Sequence, residues 1–299
     1  MKIAAVIILY KPQDSLEFIN KNLLTYSEYF NKIYLIDNSP EITSSFVHLE
    51  KIFYFHNKNK GGIAGAQNIG CSKALEDGFE WCMTLDQDSY FLPETLEKYF
   101  KLWIENISPE NVSFNIRIKP PRKIRLPLNK LIRYKILSPI KRKLLNIKDL
   151  PPAGSDVEEL PVSYPKKVIA SGNIINLKVW KEVGKFDEVL FIDEVDNDFC
   201  FRLIRKGYRI LRFNNLKMIH QIGDYQFQLI RKKYSYHSSF RLYYIFRNHY
   251  VIMKRYPEYK KEYRKELHGY LVDNILKSIH PIKNFMIFLK ARKDAKSIN

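Results

Sequence analysis

The first hundred residues alternate between short apolar runs and longer stretches with helical spacing, and this alternation constrains the fold more than any other feature of the sequence. Lys2–Tyr10 reads as a continuous apolar strand. Asp14 is placed to cap a following helix, with Glu17 as the return arm of a capping box. Leu16, Ile19, Leu23 and Phe30 then fall near one helical face. Lys32–Ile36 and Lys51–His56 read as the second and third strands, Ile63–Leu75 as a helix closed by Gly78, and Phe79–Leu85 as a fourth strand. Pro93 opens another helix. Strands that are apolar on both sides and joined by helices form a parallel sheet covered on both faces. Ligands of such sheets sit beyond the carboxyl ends of the strands, so the chemistry is expected there.

Beyond this region Asn111–Ile118 and Val168–Leu177 read as strands. Asp196–Lys206 reads as a helix ended by Gly207, Tyr208–Phe213 as another strand, and everything from Ser238 onward as helical. Between them Pro120–Pro165 is a basic, proline-punctuated insert whose leucines and isoleucines interleave with Lys and Arg. That pattern suits an interfacial segment or a loop that folds over substrate. The expected organisation is an α/β domain over residues 1–225, carrying the insert at about 119–165, and a basic helical region over 226–299. A 45% hydrophobic chain of 299 residues has enough apolar material for this.

The net charge is +18, and Asn111–Lys148 holds twelve Lys or Arg and no acid. Such a stretch either meets an anionic partner or forms a solvated basic face. No helix-turn-helix, finger or RNP pattern accompanies it, which argues against nucleic acid. Cys71, Cys82 and Cys200 are an odd number without paired spacing and read as reduced thiols of a cytosolic protein. The apolar run Ile3–Tyr10 runs straight into Lys11-Pro12 with no small-residue cleavage site, so it reads as a strand rather than a leader. No stretch reaches membrane-spanning length.

Thr84-Leu85-Asp86-Gln87-Asp88-Ser89 is the sharpest chemical signal, because it ends an apolar strand. Residues i and i+2 of an extended chain point the same way, so Asp86 and Asp88 converge. Two such carboxylates suit Mg²⁺ or Mn²⁺ carrying a diphosphate; otherwise they form a polar turn. Asp37-Asn38-Ser39 ends the second strand, where Asp37 either accepts from a base or ribose or caps a turn. Asn59–Asn68, with Gly61, Gly62 and Gly65, is a glycine-rich loop entering a helix, which brings backbone close to a phosphate or simply turns the chain. It lacks a P-loop ending. Asp193, Glu194, Asp196 and Asp198 form an acidic cluster, and mutual repulsion is expected to raise such pKa values unless a cation or Arg offsets it. One of them is a candidate general base, Asp196 reacting while Asp198 caps or braces, with Arg202 as its i,i+4 partner.

In this order these motifs resemble the GT-A glycosyltransferases of family two, over roughly Lys2–Lys254. The set comprises Tyr10-Lys11-Pro12, Asp37-Asn38-Ser39, Asn59–Asn68, Asp86-Gln87-Asp88, Ser171-Gly172-Asn173, Gly184–Asp187 and the acidic cluster with Arg202. The resemblance implies a Rossmann-like, mostly parallel sheet flanked by helices, with a C-terminal helical appendage. It further implies that Tyr10, Asp37, Asn38, Gly62, Asn68, Asp86 and Gln87 bind the nucleotide sugar. Asp88 and His220 would hold the metal, Mg²⁺ or Mn²⁺, with Asp86 nearby. Asp196 falls on the family's catalytic base, although Val195 stands where the family carries Glu; Asp193 and Glu194 are its substitutes. Ser171, Gly172, Asp193, Glu194, Arg241 and Arg247 would face the acceptor or the diphosphate.

A narrower similarity is to the bacterial rhamnosyltransferase-like branch. It rests on Asp86-Gln87-Asp88-Ser89, on His220 with Ile222-Gly223-Asp224, and on His237-Ser238, Arg241, Tyr243-Tyr244 and Arg247-Asn248. It implies an inverting transfer of L-rhamnose from dTDP-rhamnose to a cell-surface polysaccharide or lipid-linked oligosaccharide. The setting would be the bacterial cytoplasm, at the inner face of an anionic membrane. UDP-galactofuranose or another UDP-sugar is the alternative donor. A catalytically silent scaffold is the competing class, disfavoured by the retention of Asp86, Asp88, Asp196 and His220. A nucleotidyltransferase would need a glycine-rich activation loop near the N-terminus that is not found.

Overall fold

The computed structural model describes residues 1–42, 46–119, 161–220, 225–229, 232–276, 278 and 280–298. The insert residues 120–160 and the stretch Gln221–Asp224 therefore lie outside the described residues. The described residues fall into two compact units, residues 1–119 with 161–220, and residues 225–298.

The first unit is built on one sheet. Its strands are β1 (Ala4–Leu9), β2 (Lys32–Asp37), β3 (Ile52–His56), β4 (Trp81–Asp86), β5 (Ser89–Tyr90), β6 (Asn111–Lys119), β7 (Val162–Ser163), β8 (Asn173–Asn176) and β9 (Arg209–His220). The order is β3-β2-β1-β4-β8-β6-β9-β5, with β7 also on β9. The β3–β2–β1–β4 half is parallel, and β8 enters antiparallel to both β4 and β6. All six residues of β1 are buried, which is why that strand alternates in nothing and reads as one apolar run. The helices are α1 (Leu16–Tyr29), α2 (Gly62–Glu76), α3 (Pro93–Glu105), α4 (Leu177–Glu182) and α5 (Val195–Arg205). Helix α2 packs so closely that a Cβ on Gly70 would meet Val6 Cγ1 at 2.2 Å. On one face Trp81, Trp103, Phe114, Tyr99 and Phe213 form a chain of edge-on and stacked rings. The Tyr99 hydroxyl donates to Phe114 O and Gly172 O, tying α3 to β6 and to the turn before β8.

Several expectations shift. Helix α1 begins at Leu16 after a 3-10 turn over Pro12–Ser15, so its cap position is Ser15 rather than Asp14, and Ser15 makes no side-chain cap bond. The strand expected over Val168–Leu177 shrinks to Asn173–Asn176, because Asn173 N–H turns back to Ala170 O and Gly172 takes φ +74°. In contrast β9 runs past Phe213 to His220, carried through polar Asn214 and Asn215 by a register shift against β6.

The registers set the functional edge. Leu9 pairs with Asp37 and Ile8 with Asp86, so β1, β2 and β4 end at one level. Thr84 pairs with Asn173, which puts Ser171-Gly172 beside the end of β4, and Ser89 pairs with His220, which brings the end of β9 there too.

The second unit carries the hairpin β10 (Tyr225–Leu229) and β11 (Lys232–Tyr236), then α6 (Ser239–Arg255), α7 (Lys260–Leu271) and α8 (Pro281–Asp294). The Ser238 hydroxyl caps α6 by accepting from Arg241 N–H at 3.2 Å. Phe246 packs edge-on against Phe288, and the Tyr243 hydroxyl donates to Asp294 Oδ2 at 2.6 Å.

Candidate active site

Strand β4 ends at Asp86 because the apolar run stops there, and Asp88 sits in the turn that follows rather than on extended chain. One ligand atom each of Asp86, Asp88 and His220 lie within 4.8 Å of one another. His220 Nδ1 is 3.2 Å from Asp88 Oδ1, and Nε2 is 3.9 Å from Asp86 Oδ2. The imidazole is largely buried while the Asp86 and Asp88 side chains are 28% and 40% exposed, so two acceptors face solvent around a fixed ring. Two carboxylates and one imidazole form a donor set that fits a divalent cation with open positions.

Behind this triad stands a residue the sequence reading left without a role. Ser89 Oγ makes a short hydrogen bond with His220 Nδ1 and accepts from Ser171 Oγ at 2.7 Å. Ser171 Oγ also accepts from Asp86 N–H at 3.1 Å. This relay orients the ring and the end of β4 together, as second-layer partners of a metal-binding histidine do. Its place in Asp86-Gln87-Asp88-Ser89 was legible in the sequence, but only the pairing of β5 with β9 shows its partner. Gln87 staples β4 to β1: its Oε1 accepts from Tyr10 N–H at 2.7 Å and its Nε2 donates to Tyr10 O at 3.1 Å. The Tyr10 ring is 47% exposed at this edge.

Asp37 is fully buried. Its Oδ1 accepts from Ser39 N–H at 2.8 Å and its Oδ2 from the Tyr54 hydroxyl at 2.6 Å. Of the two tasks open to it in the sequence, bracing a turn is the one seen here. Asn38 likewise donates to Gly62 O and accepts from Asn57.

The glycine-rich loop also turns inward. At Gly62 (φ +61°) a Cβ would sit 2.3 Å from Phe191 O, and Ile63 N–H donates to that same carbonyl at 2.8 Å. Asn68 donates to Phe186 O and Glu188 Oε1 and accepts from Phe186 N–H. Gly62 and Asn68, expected to approach the nucleotide sugar, thus hold the segment 186–191. That segment leads into three non-glycine residues with left-handed backbone, Phe191 (φ +66°), Asp193 (φ +61°) and Glu194 (φ +68°). Strained backbone of this kind persists only where its surroundings hold it, and α2 supplies the hold.

The strained turn delivers the start of α5. Asp196 Oδ2 accepts from Ala170 N–H at 3.2 Å and Oδ1 from Asn197 N–H at 3.0 Å. Desolvation by the surrounding protein, and then the charge of Glu194, push the Asp196 carboxyl up to about 7, against the pull of those N–H donors. Mutual repulsion was the expected cause; enclosure is the larger one. Asp198 does brace: Arg202 Nε donates to its Oδ2 at 2.8 Å, and Arg202 Nη1 donates to Val183 O at 2.5 Å. Glu194 Oε2 accepts from Asn197 Nδ2 at 2.8 Å. Consecutive residues Ala170 and Ser171 therefore touch the two halves of the site, the first bonded to Asp196 and the second to Ser89 and Asp86. Arg241 and Arg247 belong to α6 of the second unit, where Arg247 is buried with its guanidinium 4.6 Å from the Tyr244 ring centroid and Nε on Asn248 Oδ1.

Residues 5–152 match the family model described as glycosyl transferase family 2. The chain is 30% identical over 256 residues to the dTDP-rhamnosyl transferase RfbF of Shigella flexneri, covering 85% of this chain and 80% of that protein. The chain belongs to glycosyl transferase family 2. Among solved structures, S. aureus TarS 1–349 in complex with UDP-GlcNAc matches with a TM-score of 0.53 at 14% identity, over 99% of this chain and 80% of that one. GalNAc-T7 with UDP, GalNAc and Mn²⁺ matches with a TM-score of 0.51 at 13% identity over 99% of this chain. The chain spans only 54% of that GalNAc-T7 chain, and 61% of the TarS 1–349 chain solved with UDP. These likenesses show the GT-A fold of this family 2 glycosyltransferase. No helix among its described residues is long and apolar enough to cross a membrane.

Proposed function

We propose that this family 2 protein is a metal-dependent, inverting glycosyltransferase that moves L-rhamnose from dTDP-rhamnose to a lipid-linked or cell-surface glycan acceptor. The observation that carries the reading is the division of carboxylates at one sheet edge. An Asp86–Asp88–His220 triad and a half-buried Asp196 with a raised pKa are joined through Ala170-Ser171. The similarity to a dTDP-rhamnosyl transferase supports the donor.

Asp88, His220 and Asp86 would hold Mg²⁺ or Mn²⁺, which when bound neutralises charge on a diphosphate leaving group. Tyr10, Gln87 and the loop after β2 would line the nucleotide at the ends of β1 and β2. Asp196, with a pKa near the working pH, is suited to take the acceptor hydroxyl proton as that oxygen attacks the anomeric carbon. A single displacement of this kind inverts the anomeric configuration. Desolvation serves here by raising basicity, while the two N–H donors fix the direction of the carboxylate. Asp193 and Glu194, beside this base, and Ser171-Gly172 would face the acceptor. With residues 1–225 as the catalytic domain, the basic residues of the insert and of 226–299 would hold the enzyme at the inner face of an anionic membrane, where a lipid-linked acceptor lies.

The reading is tested by incubating the protein with dTDP-rhamnose, UDP-galactofuranose, UDP-glucose and UDP-galactose, with and without Mn²⁺ or Mg²⁺. Metal-dependent binding or hydrolysis of dTDP-rhamnose is expected. Preference for a UDP-sugar would correct the donor, and no response by folded protein to any of them would favour a silent scaffold.

A further inference from the structure

Helix α8 has two apolar faces where a packed helix needs one. Asn284, Phe288 and Ala291 are buried against the rest of the helical unit. On the other side Ile282 is 80% exposed, Phe285 46%, Met286 60% and Leu289 41%. The spacing i, i+3, i+4, i+7 places these four within an arc of roughly 100°, opposite the buried stripe. Exposed large side chains are ordinary singly, but four forming one stripe mark a contact surface.

Charge decides the occupant. Lys283, Lys290, Arg292 and Lys293 are exposed on α8, so the apolar stripe is flanked by cations and Lys293 continues it. The helix carries one acid, Asp294, already engaged by Lys290 at 2.9 Å and by the Tyr243 hydroxyl. A second copy docked helix to helix on this face would bring like charges together, since the helix's one acid is already engaged. An anionic lipid surface answers both features: acyl chains take the stripe and headgroups take the cations. The helix is 14 residues long, which suits lying in the interface rather than crossing it.

We infer that α8 is a membrane-docking helix, seating Ile282, Phe285, Met286 and Leu289 in the headgroup–acyl boundary of an anionic bilayer. This rests on the membrane-surface reading proposed above and adds the element and the side chains that make the contact. It also changes the nature of the contact from charge alone to charge plus insertion, so binding survives moderate salt better than a purely electrostatic one.

The test is flotation of the full chain with phosphatidylcholine vesicles, with or without about a third phosphatidylglycerol, at low and moderate salt. The variant is Phe285→Ser/Leu289→Ser, both exposed positions, with donor hydrolysis and circular dichroism as controls for folding. Wild type is expected to float with anionic vesicles only. The double variant should lose roughly tenfold or more per side chain in partitioning, with donor hydrolysis unchanged. Arg292→Gln/Lys293→Gln should weaken binding and lessen its dependence on salt. If the serine variant floats like wild type, α8 is not the contact, though the membrane reading stands. If wild type ignores anionic vesicles at low salt, the underlying reading falls. If the serine variant instead converts a dimer to a monomer by light scattering, the face is an interface between copies.

Discussion

Two groups of carboxylates sit at the working edge of the sheet, and their surroundings give them opposite characters. Asp86 and Asp88 end an apolar strand, keep partial solvent exposure, and converge with the largely buried ring of His220. Asp196 begins a helix, is half-buried beside Glu194, and is pushed up to about 7 by desolvation and then by that neighbouring charge. The same functional group thus suits cation binding in one place and proton transfer in the other. What differs is the groups packed around each carboxylate, an imidazole in one place and Glu194 in the other, not residue type.

Substitutions at each side sharpen or break this contrast. Asp196→Asn should have the largest effect, lowering turnover by about 10²–10⁴-fold while sparing metal-dependent donor binding, as read by steady-state kinetics and calorimetry. The same change should raise stability above pH 7. The folded pKa of Asp196 lies above its ordinary value of 3.8, so its contribution is fully present below about 4 and is lost as pH rises to about 7. The asparagine variant has no such loss, and urea unfolding at pH 8 should show a gain of roughly 1–3 kcal/mol, discounted because the residue keeps some solvent contact. An equal or lower stability would say that the carboxylate is not strained by its enclosure.

Ser89→Ala should come next. Removing the partner of the His220 ring is expected to weaken metal affinity about 10–100-fold, measured by titrating Mn²⁺ into donor-bound protein. The pH dependence should stay as in wild type, since Asp196 is untouched. The smallest effect is the slope of that pH profile in the native enzyme. Turnover at saturating metal should fall about tenfold per pH unit below an apparent pKa of about 7. A flat profile between pH 5 and 8 would remove Asp196 from the proton step.

The sequence made the open carboxylates legible for a simple reason: Trp81–Leu85 is apolar, and two acids follow at i and i+2 exactly where a covered strand must emerge. The parallel half of the sheet was legible in the same way. The mixed half was legible only in part. Strand β8 is only four residues long, and β9 crosses Asn214 and Asn215, which read as a loop until the register shift with β6 is seen. His220, beyond the expected strand end at Phe213, had only family resemblance behind it, although it is the paired end of a strand. The glycine-rich loop announced a close approach without naming its partner. Glycine permits close approach, but composition does not say to what; here the approaching atom is Phe191 O of the turn that leads to Asp196. The left-handed backbone at Phe191, Asp193 and Glu194 leaves no trace in residue types that ordinarily avoid it.

The central claim is that the two carboxylate groups divide cation binding from proton transfer. Its most direct test is calorimetric donor binding with Mn²⁺ and with chelator, on wild type, Asp88→Asn and Asp196→Asn. The division predicts that Asp88→Asn loses the metal-dependent part of dTDP-rhamnose binding, while Asp196→Asn keeps it and fails only in transfer. Equal loss of metal-dependent binding in both variants, or retention in both, would contradict it.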